Sequence, residues 1–406
     1  LTAEGYIYSI PKSGFYVTDL TRVIEPEKKS FVSEITPLIE DKTSYLADFT
    51  SNQTESELFP FTIWARIVRE VLNDHQIQLM TNPPCGGILP LRQAIAKHLK
   101  EFRNMNVLPE QVIIGAGTEY LYGLLIQLFG NQRMYAVENP GYQKIAQIYN
   151  SYQVHCEYVS MDKDGVDIAE LEDKKAEIVH ISPSHHYPMG TIMPISRRYE
   201  LLGWASKSEH RYIIEDDYDS ELRLSGQPIP TLQSIDVSDK VIYMNTFTKT
   251  LASTVRISYM VLPKTLLTTF YQKLSFYSGT VSNFEQYTLA RFIDEGYFEK
   301  HINRLRNYYN NKRNKIVDAI ENSRLNKYVR ISGDDAGLHF LLTIHTTKSE
   351  QIIMELAAAQ GIKLSPLSSF YYDAQKNADN VYVVNYSSIP SEQIADIIER
   401  LAKCCE

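Results

Sequence analysis

Residues 241–250 read Val-Ile-Tyr-Met-Asn-Thr-Phe-Thr-Lys-Thr, and residues 256–261 read Arg-Ile-Ser-Tyr-Met-Val. The first stretch is a β-branched apolar run ending in hydroxyl residues and Lys249, and the second is an apolar run opened by Arg256, so both predict strands. A desolvated lysine at a strand end can lose its proton and form a Schiff base with an aldehyde, while a nearby arginine neutralises a phosphate. From this stretch alone, a surface lysine and arginine on a turn is an equally good interpretation.

Length and composition indicate a globular protein with one large α/β unit or two to three domains: 406 residues, 44% hydrophobic and 22% charged. With a formal net charge of −8, we do not expect this chain to bind nucleic acid by itself, because phosphate neutralisation requires a basic face. A basic domain outside the sequence is compatible with this charge. We find no run of membrane-spanning length, no signal peptide and no disulfide or metal-ligand spacing among the four cysteines. We therefore expect a cytoplasmic protein without a membrane partner.

The N-terminal residues 1–17 predict a helix end at Gly5 and a hairpin turning at residues 12–14. This pattern resembles the last helix turn and the wing of the winged helix-turn-helix domain of the GntR superfamily, and a hairpin of another domain is the alternative. Because Leu1 is not a methionine, we expect a fragment from which the DNA-reading helix is missing. Residues 18–44 are polar and predict a linker.

From residue 45 onward, short apolar runs alternate with helical patterns, which predicts an α/β fold with a mainly parallel sheet covered on both faces. We expect an entry segment and large domain over residues 45–290 and a smaller α+β domain over residues 291–406. Strands of an open α/β sheet bind ligands at their carboxyl ends. Four predicted strands end in groups that could bind one: Gly117 with Thr118, Tyr142, Asp216 with Tyr218, and Lys249 with Arg256.

Each of these groups has a role that suits pyridoxal phosphate. Asp216 could keep a pyridine nitrogen protonated, and the Tyr218 hydroxyl could hold the phenolic oxygen of the ring. Tyr142 could stack on the ring, and the glycine turn at Gly117 before a helix could hold the phosphate through backbone N–H groups. Asp217 is an alternative to Asp216, and an ordinary core position is an alternative for Tyr142.

Five motifs, in their order along the chain, resemble fold-type I aminotransferases. With the N-terminal hairpin in front of them, the whole chain resembles the MocR subfamily of GntR regulators, in which an aminotransferase-like domain senses an effector. The motifs are Gly-Ala-Gly-Thr at 115–118, Glu-Asn-Pro-Gly-Tyr at 138–142, Ser-Pro-Ser-His-His-Tyr-Pro-Met-Gly-Thr-Ile-Met at 182–193, Ile-Glu-Asp-Asp-Tyr-Asp-Ser-Glu at 214–221, and Thr-Phe-Thr-Lys-Thr-Leu at 246–251 with Arg-Ile-Ser-Tyr-Met at 256–260.

The resemblance implies a homodimer, DNA as the partner of the full-length protein, and a site for pyridoxal 5′-phosphate. Lys249 would carry the cofactor as an aldimine, and Arg256 would bind its phosphate. The other implied contacts are Asp216 to the ring nitrogen, Tyr218 to the phenolic oxygen, Tyr142 to the ring face, Gly117, Thr118 and Thr248 to the phosphate, and His185. We expect no metal, because the adjacent His185 and His186 cannot share a helical face and no third ligand is near in sequence.

The chain departs from the family's pattern where an amino-acid substrate would bind. The family's carboxylate-binding arginine is aligned with Ser388, a second arginine with Lys144, and an asparagine with Tyr187. Serine or lysine does not replace a bidentate arginine. We therefore expect the sensing domain of a transcription regulator whose effector is the cofactor itself, as in PdxR-type members that control vitamin B6 synthesis. The alternatives are a regulator that senses an amino acid with the cofactor and an active aminotransferase, and we expect at most weak transaminase activity.

Overall fold

The computed structural model describes residues 1–19, 45–51, 55–223, 229–333, 337–372 and 380–406. Contacts divide the chain into two units, Leu1–Ser44 and Tyr45–Glu406. In the first unit, β1 (Ile7–Ile10) and β2 (Gly14–Val17) form an antiparallel hairpin, as the sequence predicts. The predicted linker at residues 18–44 lies almost entirely outside the described residues. The second unit opens with β3 (Ala47–Asp48).

An eight-stranded sheet forms the centre of the second unit. Its strands are β4 (Val112–Gly115), β5 (Tyr135–Asn139), β6 (Cys156–Asp162), β7 (Gly165–Val166), β8 (Ile178–Ile181), β9 (Tyr212–Asp216), β10 (Val241–Thr246) and β11 (Ser258–Val261). The spatial order is β4-β11-β10-β9-β8-β5-β6-β7, and only β11 and β7 run against the others. The prediction of a mainly parallel sheet is confirmed.

Helices pack on both faces of this sheet and on the C-terminal region. The described helices are α1 (Phe61–Asp74), α2 (Gln76–Leu79), α3 (Leu89–Arg103), α4 (Thr118–Phe129), α5 (Gln143–Ser151), α6 (Ile168–Asp173), α7 (Ile195–Ser206), α8 (Leu232–Ile235), α9 (Lys264–Leu274), α10 (Asn283–Asp294), α11 (Tyr297–Glu321), α12 (Glu350–Ala359) and α13 (Ile394–Cys405). Because side chains alternate across a strand, Ile214 and Ile242 pack with α4 and α9, whereas Ile213 and Val241 pack with α6 and α7. In the described part of the chain, no helix has the length and apolar composition needed to cross a membrane.

The C-terminal region contains four short strands: β12 (Val329–Ser332), β13 (His339–Ile344), β14 (Ile362–Lys363) and β15 (Val381–Asn385). β12, β13 and β15 form an antiparallel sheet, and β14 pairs in parallel with β3 at the start of the unit. The C-terminal region is therefore tied by backbone hydrogen bonds to the segment that enters the large sheet.

Candidate functional site

A cavity of about 320 Å³ opens beyond the carboxyl ends of the parallel strands. β4, β5, β9 and β10 all end at this edge, so groups far apart in sequence meet there. Eight of the nine residues selected from the sequence line the cavity: Gly117, Thr118, Tyr142, Asp216, Tyr218, Thr248, Lys249 and Arg256.

Lys249 follows β10 at the floor of this cavity and is partly buried. Desolvation lowers the pKa of its ammonium from the usual value to about 8, although the nearby Asp219 carboxylate acts in the opposite direction. At pH 7 roughly a tenth of the molecules then carry a neutral amine, compared with about one in several thousand for an exposed lysine. The lysine is thereby prepared to act as a nucleophile.

Asp216 ends β9 and is buried. Its Oδ2 accepts a hydrogen bond of 2.8 Å from the Tyr122 hydroxyl and lies 3.5 Å from Nε2 of His180. Its Oδ1 is also buried and has no hydrogen-bond partner among the described residues. A buried acceptor at a cavity wall calls for a donor from the cavity.

Asp217, the alternative to Asp216, is hydrogen-bonded to residues outside the cavity. Its Oδ2 accepts hydrogen bonds from Nη2 of Arg103 at 2.8 Å and from the Tyr243 hydroxyl at 2.7 Å. It does not line the cavity. The geometry therefore brings Asp216, and not its neighbour, to the site.

Gly117 and Thr118 form the N-terminal end of α4, where backbone N–H groups without helical partners can bind an anion. Gly117 has a φ of +89°, and a Cβ built on it would lie 2.4 Å from Nη2 of Arg256. A side chain at this position would thus displace the guanidinium. Thr248 also lines the cavity, with its hydroxyl 2.8 Å from that of Thr246, which lines it too.

Glu119 was not selected from the sequence, yet it lies in the cavity wall and forms ion pairs with both Arg256 and Lys144. Partial burial alone would raise the pKa of Glu119, but these two cations outweigh burial and hold the pKa below its usual value. An acidic residue in the first turn of a helix is a common stabilising feature, so the sequence carried no sign of these contacts.

Aromatic side chains border the remaining part of the cavity. Tyr142 is 50% exposed and packs edge-on against Tyr187, with ring centroids 6.0 Å apart, so one ring face is open to a ligand. Burial raises the pKa of the Tyr218 hydroxyl well above its usual value, which keeps it protonated and able to donate. That hydroxyl lies 3.3 Å from Nδ1 of His185.

His185 is the one selected residue that does not line the cavity. It lies in a smaller adjoining recess, where Nδ1 is 2.8 Å from Oδ2 of Asp219. His186 faces a different carboxylate, with Nε2 3.4 Å from Glu138. The two histidines therefore diverge, and His185 contacts the cavity-lining Tyr218 without lining the cavity itself.

Tyr187, which lines the cavity, packs against a small apolar cluster that includes a residue of β15. Val383 is fully buried in a cluster with two leucines, and Tyr187 and Met189 pack against the same cluster. Ser388, which we expected at the position of the carboxylate-binding arginine, lies after the strand, where its hydroxyl donates to the Asp48 carbonyl at 3.5 Å. It does not line the cavity. The β15 residues near Tyr187 are Val383, through the shared apolar cluster, and Asn385, whose amide nitrogen donates to the Tyr187 hydroxyl at 3.4 Å.

Known proteins similar to this chain include aminotransferases and transcriptional regulators. The family model for class I and II aminotransferases matches residues 46–401. The chain is 37% identical over 371 residues to YdeL of Bacillus subtilis, an uncharacterized HTH-type transcriptional regulator, covering 91% of this chain and 80% of YdeL. It is 28% identical over 406 residues to PdxR of Corynebacterium glutamicum, an HTH-type pyridoxine biosynthesis transcriptional regulator, covering 99% of this chain and 85% of PdxR.

Among solved structures, the crystal structure of Pyrococcus horikoshii kynurenine aminotransferase in complex with PMP superposes with a TM-score of 0.78. Sequence identity is 26%, and the match covers 89% of this chain and 91% of that one. The similarity therefore extends over the eight-stranded sheet and the C-terminal region together.

Proposed function

This chain belongs to the class I and II aminotransferase family, in the group of GntR-type HTH transcriptional regulators that includes MocR and PdxR, and we propose that it is the effector-sensing part of such a regulator. Its fold is that of fold-type I enzymes, and its cofactor is pyridoxal 5′-phosphate. The observation that carries the proposal is the match to YdeL over 80% of that regulator's length. The proposal implies a cytoplasmic homodimer that binds DNA.

The residues of the cavity fit the cofactor. The orphaned Oδ1 of Asp216 suits a protonated ring nitrogen, and the close approach of Arg256 to Gly117 at the start of α4 suits a phosphate. The open face of Tyr142 suits the ring. When bound, pyridoxal phosphate supplies an aldehyde that reacts with amines and a ring that withdraws electrons.

Each of these cavity residues would have a distinct role in binding the cofactor. Lys249 would provide the neutral amine for the aldehyde, Asp216 would hold a proton at the ring nitrogen, and Tyr218 would donate to the phenolic oxygen. Arg256 and the N–H groups of Gly117 and Thr118 would bind the phosphate. These assignments rest on the cavity geometry together with the chemistry of each group.

The lowered pKa of Lys249 leads to a prediction about pH. We expect the rate at which the protein takes up pyridoxal phosphate to rise about tenfold between pH 7 and pH 9 and to level off above that, because the neutral amine forms as pH passes about 8. Stopped-flow absorbance would measure the rate, with Nα-acetyl-lysine run in parallel to correct for titration of the cofactor itself.

The Asp219→Asn variant provides the matched control for this profile. Since the Asp219 carboxylate stabilises the ammonium of Lys249, its removal should move the midpoint to lower pH. A rate that keeps rising tenfold per pH unit between pH 9 and pH 10 would mean that Lys249 has an ordinary pKa, contrary to this assignment.

Further support for a sensor of the cofactor, rather than of an amino acid, comes from the cations in the cavity. Among the described residues that line it, the cationic ones are Lys144, Lys249 and Arg256. Lys144 and Arg256 are paired with Glu119, and the β15 groups beside Tyr187 are an apolar cluster and the uncharged amide of Asn385. An α-carboxylate is therefore poorly provided for, and we propose that pyridoxal phosphate itself is the effector, with vitamin B6 synthesis genes as targets, as the name of PdxR indicates for that relative.

A working aminotransferase is the second candidate, favoured by the family match and by the superposition on kynurenine aminotransferase. Amino acids added to the loaded protein would then convert the cofactor to its amine form rapidly, which absorbance detects. We expect conversion that is slow for every amino acid tested. Rapid conversion by any of them would favour the enzyme.

The regulatory proposal is tested with the full-length protein on genomic DNA fragments. We expect pyridoxal phosphate to change the amount of specific fragments retained, and amino acids to have no such effect. Retention that responds to an amino acid, and is unchanged by the cofactor, would refute the proposal.

A further inference from the structure

Glu119 is ion-paired with Arg256, the side chain that would bind the phosphate of the cofactor. Its carboxylate is ion-paired with Nη2 of Arg256, and this same nitrogen is the atom that approaches Gly117 at the start of α4. Glu119 also lies in the first turn of α4, close to the N–H groups that attract an anion. The Glu119 carboxylate and the phosphate of the cofactor would thus bind to the same arginine and the same helix N-terminus.

On the basis of the proposed function, we infer that Glu119 competes with the phosphate of the cofactor for Arg256, and that Lys144 receives Glu119 when the phosphate binds. Glu119 thereby sets the affinity for the phosphorylated cofactor. Both cations are within reach of the one carboxylate, since Glu119 pairs with Lys144 through Oε1 and with Arg256 through Oε2.

The exposure of these side chains shows that the exchange is feasible. Glu119 is 35% exposed, Lys144 48% and Arg256 49%, so these ion pairs are partly solvated and individually weak. A phosphate with nearly two negative charges forms stronger, charge-assisted hydrogen bonds to an arginine. Arg256 can therefore turn from Glu119 to the phosphate, while Lys144 keeps the carboxylate paired.

The negative charge of Glu119 disfavours phosphate binding even when Lys144 holds the carboxylate, as the sum of the nearby charges shows. Arg256 and Lys144 with Glu119 sum to one positive charge, whereas the phosphate brings nearly two negative charges. Without the carboxylate, the same cations would nearly balance the phosphate. Glu119 therefore weakens binding of the phosphorylated cofactor, which suits a sensor because a site saturated at all cofactor concentrations cannot report a change.

The test is a titration of the full-length protein with pyridoxal phosphate, in which visible absorbance gives the Kd. We expect Glu119→Gln to tighten binding by roughly three- to tenfold. The same change should leave the Kd for pyridoxal, which lacks the phosphate, unaltered. Glu101→Gln, on an exposed carboxylate of α3, is the matched control and should change neither Kd.

A double-mutant cycle tests separately whether Glu119 competes with the phosphate and whether Lys144 holds Glu119. Lys144→Met should weaken binding in the native background, because Glu119 is then held by Arg256 alone, and should weaken it less when combined with Glu119→Gln, where only the positive charge of Lys144 is lost. An equal loss in both backgrounds would overturn the role of Lys144. A Glu119→Gln variant that binds the cofactor equally or more weakly would overturn the competition, whereas a wild-type protein that does not bind the cofactor would refute the proposed function instead.

Discussion

Replacing Lys249 by alanine is expected to abolish the visible absorbance that the wild-type protein develops with pyridoxal phosphate. Two lysines line the cavity among the described residues, Lys249 and Lys144. Lys249 follows the carboxyl end of β10, and desolvation lowers its pKa to about 8. After borohydride reduction of the wild-type protein, peptide mass mapping should find the pyridoxyl group on the segment 241–256. The variant should carry none.

Two control variants make this result specific. Lys144→Ala removes the other lysine of the cavity, and Lys264→Ala removes an exposed lysine at the start of α9. Both should develop the absorbance band at a saturating concentration of pyridoxal phosphate. If the Lys249→Ala protein still developed the band, or if the pyridoxyl group were found on Lys144, the assignment of the cofactor lysine would be wrong.

Replacing Arg256 by glutamine should raise the Kd for pyridoxal phosphate by about 10- to 100-fold, since one or two charge-assisted hydrogen bonds to the phosphate would be lost. The Kd for pyridoxal should change little, because that molecule has no phosphate for Arg256 to bind. Comparing the two ligands therefore separates loss of a phosphate contact from general damage to the cavity.

The matched control for this variant is Arg330→Gln, at an exposed arginine of β12 that does not line the cavity. It should bind both ligands as the wild type does. A similar loss of affinity for pyridoxal and for pyridoxal phosphate in Arg256→Gln would contradict the phosphate role and indicate disruption of the site instead.

The central sheet was largely predictable because its strands are short buried apolar runs between helical patterns. The edge strand β7 and its neighbour β6 were not, since β6 is only partly buried and its sequence, Cys-Glu-Tyr-Val-Ser-Met-Asp, lacks an apolar run. The antiparallel direction of β11 was also beyond prediction, because hydrophobic periodicity gives no strand direction.

The candidate site was predictable where a reactive residue directly follows a buried strand, as Asp216 and Lys249 do. Contacts between distant segments were not. Glu119 and Arg256 are 137 residues apart in sequence, and no pattern at either position indicates their pairing. Likewise, only the packing of β15 shows that Val383 and Asn385, and not Ser388, lie near Tyr187.

The most direct test of the sensor role is the DNA affinity of the full-length protein, measured against pyridoxal phosphate concentration for wild type and for Lys249→Ala. A DNA fragment retained by the wild-type protein serves as the probe in both cases. We predict that the cofactor shifts the wild-type affinity for this fragment and leaves that of the variant unchanged. An equal response in the two proteins, or no response in the wild type, would contradict a regulator that senses the cofactor through Lys249.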